Sequence, residues 1–145
     1  MTMEVQQWKV RVAKEADVDD LFPIVVEFAT SFIPERPAFE RAFHGLLKDD
    51  HSCLLVADHQ GSPVAYLLGF DHLTFFANGP VGWVEEIAVR SSWRRRGIGR
   101  ALMARFEEWT ASRGAKLVAL ATRRAAEFYC ALGYTESAVY FRKPL

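Results

Sequence analysis

Cysteine is scarce in this chain, and what there is does not cluster. Cys53 and Cys130 stand alone and far apart, so they form neither a CxxC redox pair nor a cysteine metal site. Two such thiols read as small buried residues in a reducing, cytoplasmic compartment. Histidine supplies no metal site either. His44, His51, His59 and His72 are scattered without HxxxH spacing, and no metal is expected. Long apolar runs are missing, and nothing approaches the roughly 20 residues that a membrane helix needs. The first nine residues are polar and mixed, unlike a secretory signal. Net charge is missing as well, because 18 Lys and Arg balance 18 Asp and Glu. That balance argues against a generic nucleic-acid coat or a strongly basic membrane binder.

What is present describes an ordinary globule. Half of the 145 residues are apolar and 25% are charged, and a chain this long buries roughly 68–70% of its unfolded surface without staples. One domain over residues 1–145 is expected. Residues 9–13 alternate as a strand. Residues 17–32 read as an amphipathic helix with acids in its first turn and Leu21, Ile24, Val25, Phe28 and Phe32 at helical spacing. A second helix follows at 38–47. Strands are expected at 52–57, 64–75 and 81–89, the first two joined by the turn His59-Gln60-Gly61-Ser62. A helix over 97–112 stops at Gly114, a strand covers 116–121, a helix from Thr122 stops at Gly133, and a last strand covers 138–142. The order β-α-α-β-β-β-α-β-α-β implies an α/β or α+β layered fold with a mixed sheet and helices on its faces.

The most informative stretch runs from Trp83 to Gly99, where a buried strand enters a loop with two glycines and the loop opens a helix. The first helical N–H groups have no partners inside the helix, and glycine lets an anion approach them, so such an end suits phosphate. Arg94, Arg95, Arg96 and Arg100 surround it with positive charge. Cations at a helix N-terminus oppose the dipole, which makes the cluster costly without an anion. Two common nucleotide loops fail here. GxxxxGK[ST] lacks its lysine, and GxGxxG lacks its third glycine because Leu102 stands there.

The run Arg94-Arg95-Arg96-Gly97-Ile98-Gly99 after a Glu85-Glu86 strand instead resembles the acetyl-CoA loop of the GCN5-related N-acetyltransferases, the GNAT superfamily. The segment from Thr122 to Tyr134 resembles that family's NxxAxx[FL]Yxx[LF]G[FY] pattern, in the right order and at a family-like separation. Thr122 stands where the family usually carries Asn. The resemblance implies a mostly antiparallel sheet of about six to seven strands with about four helices, and acetyl transfer from acetyl-CoA to a primary amine in a ternary complex. It places the cofactor's pantetheine arm along the main chain of Ile87, Ala88 and Val89. The pyrophosphate is then expected on residues Arg94, Arg95, Arg96, Gly97, Ile98, Gly99 and Arg100, with Thr122 and Tyr129 also at the cofactor.

The same resemblance implies Tyr129 as the acid that protonates the leaving thiolate. Glu85 and Glu86 are candidate bases, Glu85 the favoured one. Alternation is expected to send the two carboxylates to opposite faces, so that at least one is covered and has a raised pKa suited to a base, directly or through water. The implied acceptor region is formed by the first two helices, their connection and strand ends, here Phe28 to Phe43 with Phe32, Ile33, Phe39 and Phe43, plus the Phe75-Phe76 pair. The acceptor class, a small molecule or a peptide amine, stays open, and a homodimer is common among such proteins. A non-catalytic acyl-CoA-binding module on the same fold is the rival reading. Nucleic acid is not expected as the main partner, nor is a membrane. The neutral total is also a cancellation: residues 1–89 hold 6 Lys/Arg and 14 Asp/Glu, whereas residues 90–124 hold 10 and 2.

Overall fold

In a computed structural model, residues 7–145 are described; the start of the polar N-terminal stretch, residues 1–6, lies outside them. The described residues form β1 (Lys9–Val12), α1 (Val18–Phe28), α2 (Arg36–Lys48), β2 (Ser52–His59), β3 (Ser62–Thr74), β4 (Gly79–Val89), α3 (Ile98–Ser112), β5 (Val118–Leu120) and α4 (Ala126–Ala131). The sheet order is β1-β2-β3-β4-β5. Every pairing is antiparallel except β4 with β5.

The two central strands dictate the layering. On β2, Cys53, Leu55 and Ala57 face one side and Leu54 and Val56 the other; on β3, Leu67 opposes Tyr66 and Leu68. Strands apolar on both faces must be covered on both. Ile98, Leu102, Met103 and Phe106 of α3 and Tyr129 of α4 cover the first face. Leu21 and Ile24 of α1 and Phe43 of α2 cover the second. Contact on the α3 side is closer than ordinary side chains allow. A Cβ on Gly69 would lie 2.4 Å from the Phe106 ring, and one on Gly82 would lie 2.8 Å from Thr110.

The mixed, mostly antiparallel sheet and its four helices match expectation, but among the described residues the sheet has five strands, not six or seven. The expected strand at 138–142 does not form. Val139, Tyr140 and Phe141 are exposed, and Arg142 Nη1 donates to Ser31 Oγ at 3.1 Å. Strand propensity there is real, but a strand exists only through a neighbour that completes its ladder. The first helix also ends early. Ala29 turns extended at ψ 131°, so Phe32 leaves the core despite its spacing. Burial pushes the Cys53 thiol up to about 12, whereas Cys130 is exposed, against expectation. Among the described residues no helix is long and apolar enough to cross a membrane.

One buried ion network fastens β1 to the start of α1. Arg11 donates both terminal nitrogens to Asp17 at 2.8 Å and its Nε to Asp58 of β2 at 2.6 Å. Burial alone would push the Asp17 carboxyl up; the Arg11 bonds and the Lys14 N–H more than reverse it, and its pKa lies below the usual carboxylate range. Asp58 is lowered by the same balance, with Gly61 N–H as its backbone donor.

Two outcomes follow from this packing. Gly69→Ala destabilises the fold by about 1–3 kcal/mol, the usual cost of overpacking a core, read as a lowered Tm; an unchanged Tm would contradict the close α3 contact. Lowered native carboxylates contribute stability above their unfolded pKa of about 4 and lose it as pH falls through the native value. Chemical denaturation at neutral and acid pH therefore shows a steeper acid loss in the wild type than in Arg11→Gln. That variant also loses about 3–5 kcal/mol at neutral pH, because a buried carboxylate is left unpaired.

Candidate active site

The site begins with an irregularity in β4. Leu68 pairs with Glu86 while the next residue, Gly69, pairs with Val84. Glu85 is thus an extra residue without a partner, a β-bulge. The bulge cancels the strand's alternation at that point. Trp83 donates its indole N–H to Glu85 Oε2 at 2.7 Å, and Glu86 Oε1 accepts the Tyr66 hydroxyl at 2.7 Å. Trp83 and Ala88 pair with Phe70 and Tyr66, which belong to the α1/α2 face. The two carboxylates therefore share that face instead of dividing between the two. Glu85 is exposed and Glu86 is half-buried. Burial raises the Glu86 pKa above the usual range, the Tyr66 bond offsets part of the rise, and the neighbouring Glu85 charge adds to it.

Past the bulge, β4 loses one neighbour. β5 pairs only with Gly82, Trp83 and Val84, while β3 continues opposite Ile87, Ala88 and Val89. Arg90 N–H donates to Val64 O on the β3 side. By the two-residue repeat, the main-chain groups of Val89 and Ile87 then point to the other, β5-vacated edge. Consistent with this, the Val89 carbonyl accepts Arg94 Nε at 3.2 Å. The side chains of Ile87 and Val89 pack on the same core as Ile98 and Tyr129.

That edge leads into the glycine loop. Arg95 and Gly97 both have left-handed backbones, φ 64° and 81°. Gly97 is the N-cap of α3, and the first intrahelical bond runs from Ala101 N–H to Gly97 O at 3.1 Å. The N–H groups of Ile98, Gly99 and Arg100 precede it and have no intrahelical acceptor. Ile98 is buried and fixes the helix in place, so the turn presents its N–H groups from a rigid base. The four arginines are not equivalent. Arg94 reaches Val89 O and lies 3.7 Å from Glu27 of α1. Arg96 lies over the Trp93 ring at 4.5 Å. Arg95 and Arg100 are exposed, and no such side-chain partner holds them among the described residues.

Tyr129 sits on α4 and is 7% exposed. Burial raises its pKa, so the phenol stays protonated well beyond neutrality. Phe128 and Tyr134 flank it edge-on, with ring centroids 5.0 and 5.9 Å away. A Cβ on Gly99 would meet Phe128 at 3.2 Å, so that glycine sets how closely α4 sits on the loop. Thr122 is not the N-cap of α4, a position Ala125 occupies; its Oγ1 accepts the Ala125 N–H at 3.1 Å and shapes the turn before the helix.

Sequence reasoning missed Tyr66 and its contact with Phe28. The two rings meet edge-on with centroids 6.4 Å apart, tying α1 to the Glu86 carboxylate. A residue 20 positions away in an apolar strand gives no sequence signal of such a bond. Asp71, late in β3, is buried between Arg113 and His51, at 2.5 and 2.9 Å. No group of three or more His, Cys, Asp or Glu suited to a metal occurs among the described residues.

A family model described as the acetyltransferase (GNAT) family matches residues 18–134. An aminoglycoside N(6')-acetyltransferase type 1 of Stenotrophomonas maltophilia is 36% identical over 84 residues, 54% of this chain and 55% of that protein. An uncharacterized N-acetyltransferase of Methanocaldococcus jannaschii is 26% identical over 144 residues, 93% of this chain and 64% of that protein. The chain thus spans less than two thirds of either curated relative. The solved structure of the aminoglycoside N-acetyltransferase AAC(6')-Iy in complex with CoA superposes with a TM-score of 0.82 at 19% identity, covering 100% of both chains. At that identity the likeness speaks for the fold.

The Tyr66 bond holds the Glu86 pKa below what burial alone would give. In Tyr66→Phe the Glu86 carboxyl therefore titrates at a higher pH than in the wild type, followed by its carboxyl carbon resonance; an unchanged or lower value would contradict the bond.

Proposed function

This chain belongs to the GNAT acetyltransferase family, and from that premise we propose that it is an N-acetyltransferase that moves the acetyl group of acetyl-CoA to a primary amine by direct attack in a ternary complex. The observation that carries this reading is the β4 edge: unpaired by β5 beyond Val84, it runs straight into the glycine turn of α3. An open strand edge accepts an extended arm as an added strand, and a helix N-terminus accepts phosphate. The residues present fit both halves of CoA. The main chain of Ile87 and Val89, with Ala88 between them, takes the arm. The N–H groups from Gly97 to Arg100 take the pyrophosphate, with Arg95 and Arg100 as the available cations and Arg94 and Arg96 shaping the loop. Thr122 supports the turn that carries α4. Bound there, acetyl-CoA supplies a thioester acyl group that an amine can attack.

The chain's own groups handle the protons. Glu86 is the base we favour over Glu85, because its raised pKa brings it nearer to neutrality and its Tyr66 bond fixes one oxygen while leaving the other to receive a proton, directly or through water. Glu85 shares the face and lends negative charge that attracts a cationic amine. Tyr129 holds a proton at its hydroxyl for the departing thiolate. A phenol of raised pKa is a weaker acid than usual, so it works only close to the sulfur, where the developing negative charge favours transfer.

The acceptor we propose is a small cationic amine. Residues 1–89, which include α1, α2 and the Glu85-Glu86 pair, hold 14 acidic and 6 basic groups. The Stenotrophomonas maltophilia relative acts, by its name, on aminoglycosides.

An amine-panel assay of CoA release tests this reading. Tyr129→Phe and Glu86→Gln each lower kcat by about 10²–10⁴-fold, the range for losing a positioned acid or base, while the Kd for CoA stays within a few-fold. In the wild type kcat/KM falls as pH drops through the Glu86 pKa, because the protonated carboxyl no longer accepts a proton, and Glu86→Gln flattens that limb. Release of CoA with none of the amines, or full activity in both variants, would overturn the assignment.

A further inference from the structure

Resting on the reading of residues 94–100 as the phosphate loop, we infer that Trp93 is a positioning residue for CoA: its ring, in contact with the His59 ring and covered by the Arg96 guanidinium, keeps the loop in its binding shape before CoA arrives. Trp93 closes the short turn after β4, and its N–H donates to Arg90 O at 2.8 Å. The indole packs on the core that includes Ile98 and Tyr129. The His59 ring, from the end of β2, lies 4.5 Å away by centroid. His59 Nδ1 is itself 2.9 Å from Gln7 O, so that nitrogen is the donor and the ring is anchored. The Arg96 guanidinium lies over the indole at 4.5 Å, and its Nη2 donates to Ser92 O at 3.4 Å.

These contacts matter because of what the loop must do next. Arg95 has a left-handed backbone without being glycine, a conformation disfavoured for a side chain with Cβ. Gly97 follows it, also left-handed. Arg95, a non-glycine residue in disfavoured space, keeps that shape only when its neighbours hold it. Arg96 is the residue between the two turns, and the Trp93 face pins it. Its planar guanidinium suits an aromatic face in a way a lysine ammonium does not. Arg96 is therefore assigned a conformational role, and the direct cationic role falls to Arg95 and Arg100. Trp93 immediately precedes the glycine motif, but nothing in the sequence alone joins His59 to it.

The test is a double-mutant cycle with CoA as the probe, read by calorimetric Kd. Trp93→Leu and Arg96→Lys each raise the Kd about tenfold, the size of one lost stacked contact. The double variant is no worse than either single one, because both remove the same contact. Trp93→Phe, which keeps an aromatic face, restores most of the affinity, and Trp93→Leu raises the KM for acetyl-CoA by a larger factor than it lowers kcat. Amide exchange at Gly97 to Arg100 quickens in Trp93→Leu without CoA, while the exchange of β2 and β3 is unaltered. Should Trp93→Leu fail to fold, Trp93→Phe and Arg96→Lys carry the test alone. Wild-type affinity in Arg96→Lys would show that Arg96 acts only as a charge. Additive losses in the cycle would show that the two side chains act independently. Either result overturns the proposal. Failure of the wild type to bind CoA at all would overturn the functional reading beneath it, a separate outcome.

Discussion

The structure turns on the point where β4 keeps one neighbour and loses the other. β3 follows it to Val89, but β5 leaves after Val84, and the unpaired Glu85 marks the place. A strand in a sheet interior has no free main-chain groups to offer. Past the bulge, β4 does, while its side chains still anchor it to the core. The extra residue also brings Glu85 and Glu86 to one face and sets Glu86 against Tyr66. The open edge, the carboxylate pair and the approach to the glycine turn all descend from that one change of register. Gly69, opposite the bulge, lets the Phe106 ring press on the sheet just there, so the same spot is shaped from below by packing.

Electrostatics divides along the same line. The acidic half of the chain supplies α1, α2 and the carboxylate pair, and the basic block from residue 90 to 124 supplies the loop and α3. The zero net charge is the sum of two sequence segments of opposite sign. Within the basic block, geometry separates attraction from architecture. Arg94 bridges Val89 and Glu27, Arg96 lies on Trp93, and Arg95 and Arg100 stay exposed.

The layered fold and the element order were legible from hydrophobic pattern and turn chemistry. Gly114 and Gly133 stop their helices with φ values of 94° and 95°, as residues suited to the left-handed region do. The loop was legible because glycine and arginine types carry its chemistry locally. Other features were not, for a common reason: they are made by residues distant in sequence. The bulge is a mismatch between two strands, and neither strand shows it alone. The Arg11–Asp17–Asp58 network spans 47 positions; from sequence its Asp17 looked like a first-turn acid on the helix dipole. Tyr66 lies in an apolar strand, 20 positions from Glu86, with no local sign of their bond. The tail at 138–142 has the composition of a strand, yet no partner pairs with it.

The most direct measurement is residue-resolved amide hydrogen exchange of the full chain with and without CoA. Bound along β4, CoA slows the amides of Ile87 and Val89, on the edge that β5 leaves, together with those of Ile98 to Arg100, while the amides of β1 and β2 exchange as before. Protection confined to other surfaces, or no change at Ile87 and Val89 when CoA is bound, would contradict the open edge of β4 as the place where this protein holds its acyl carrier.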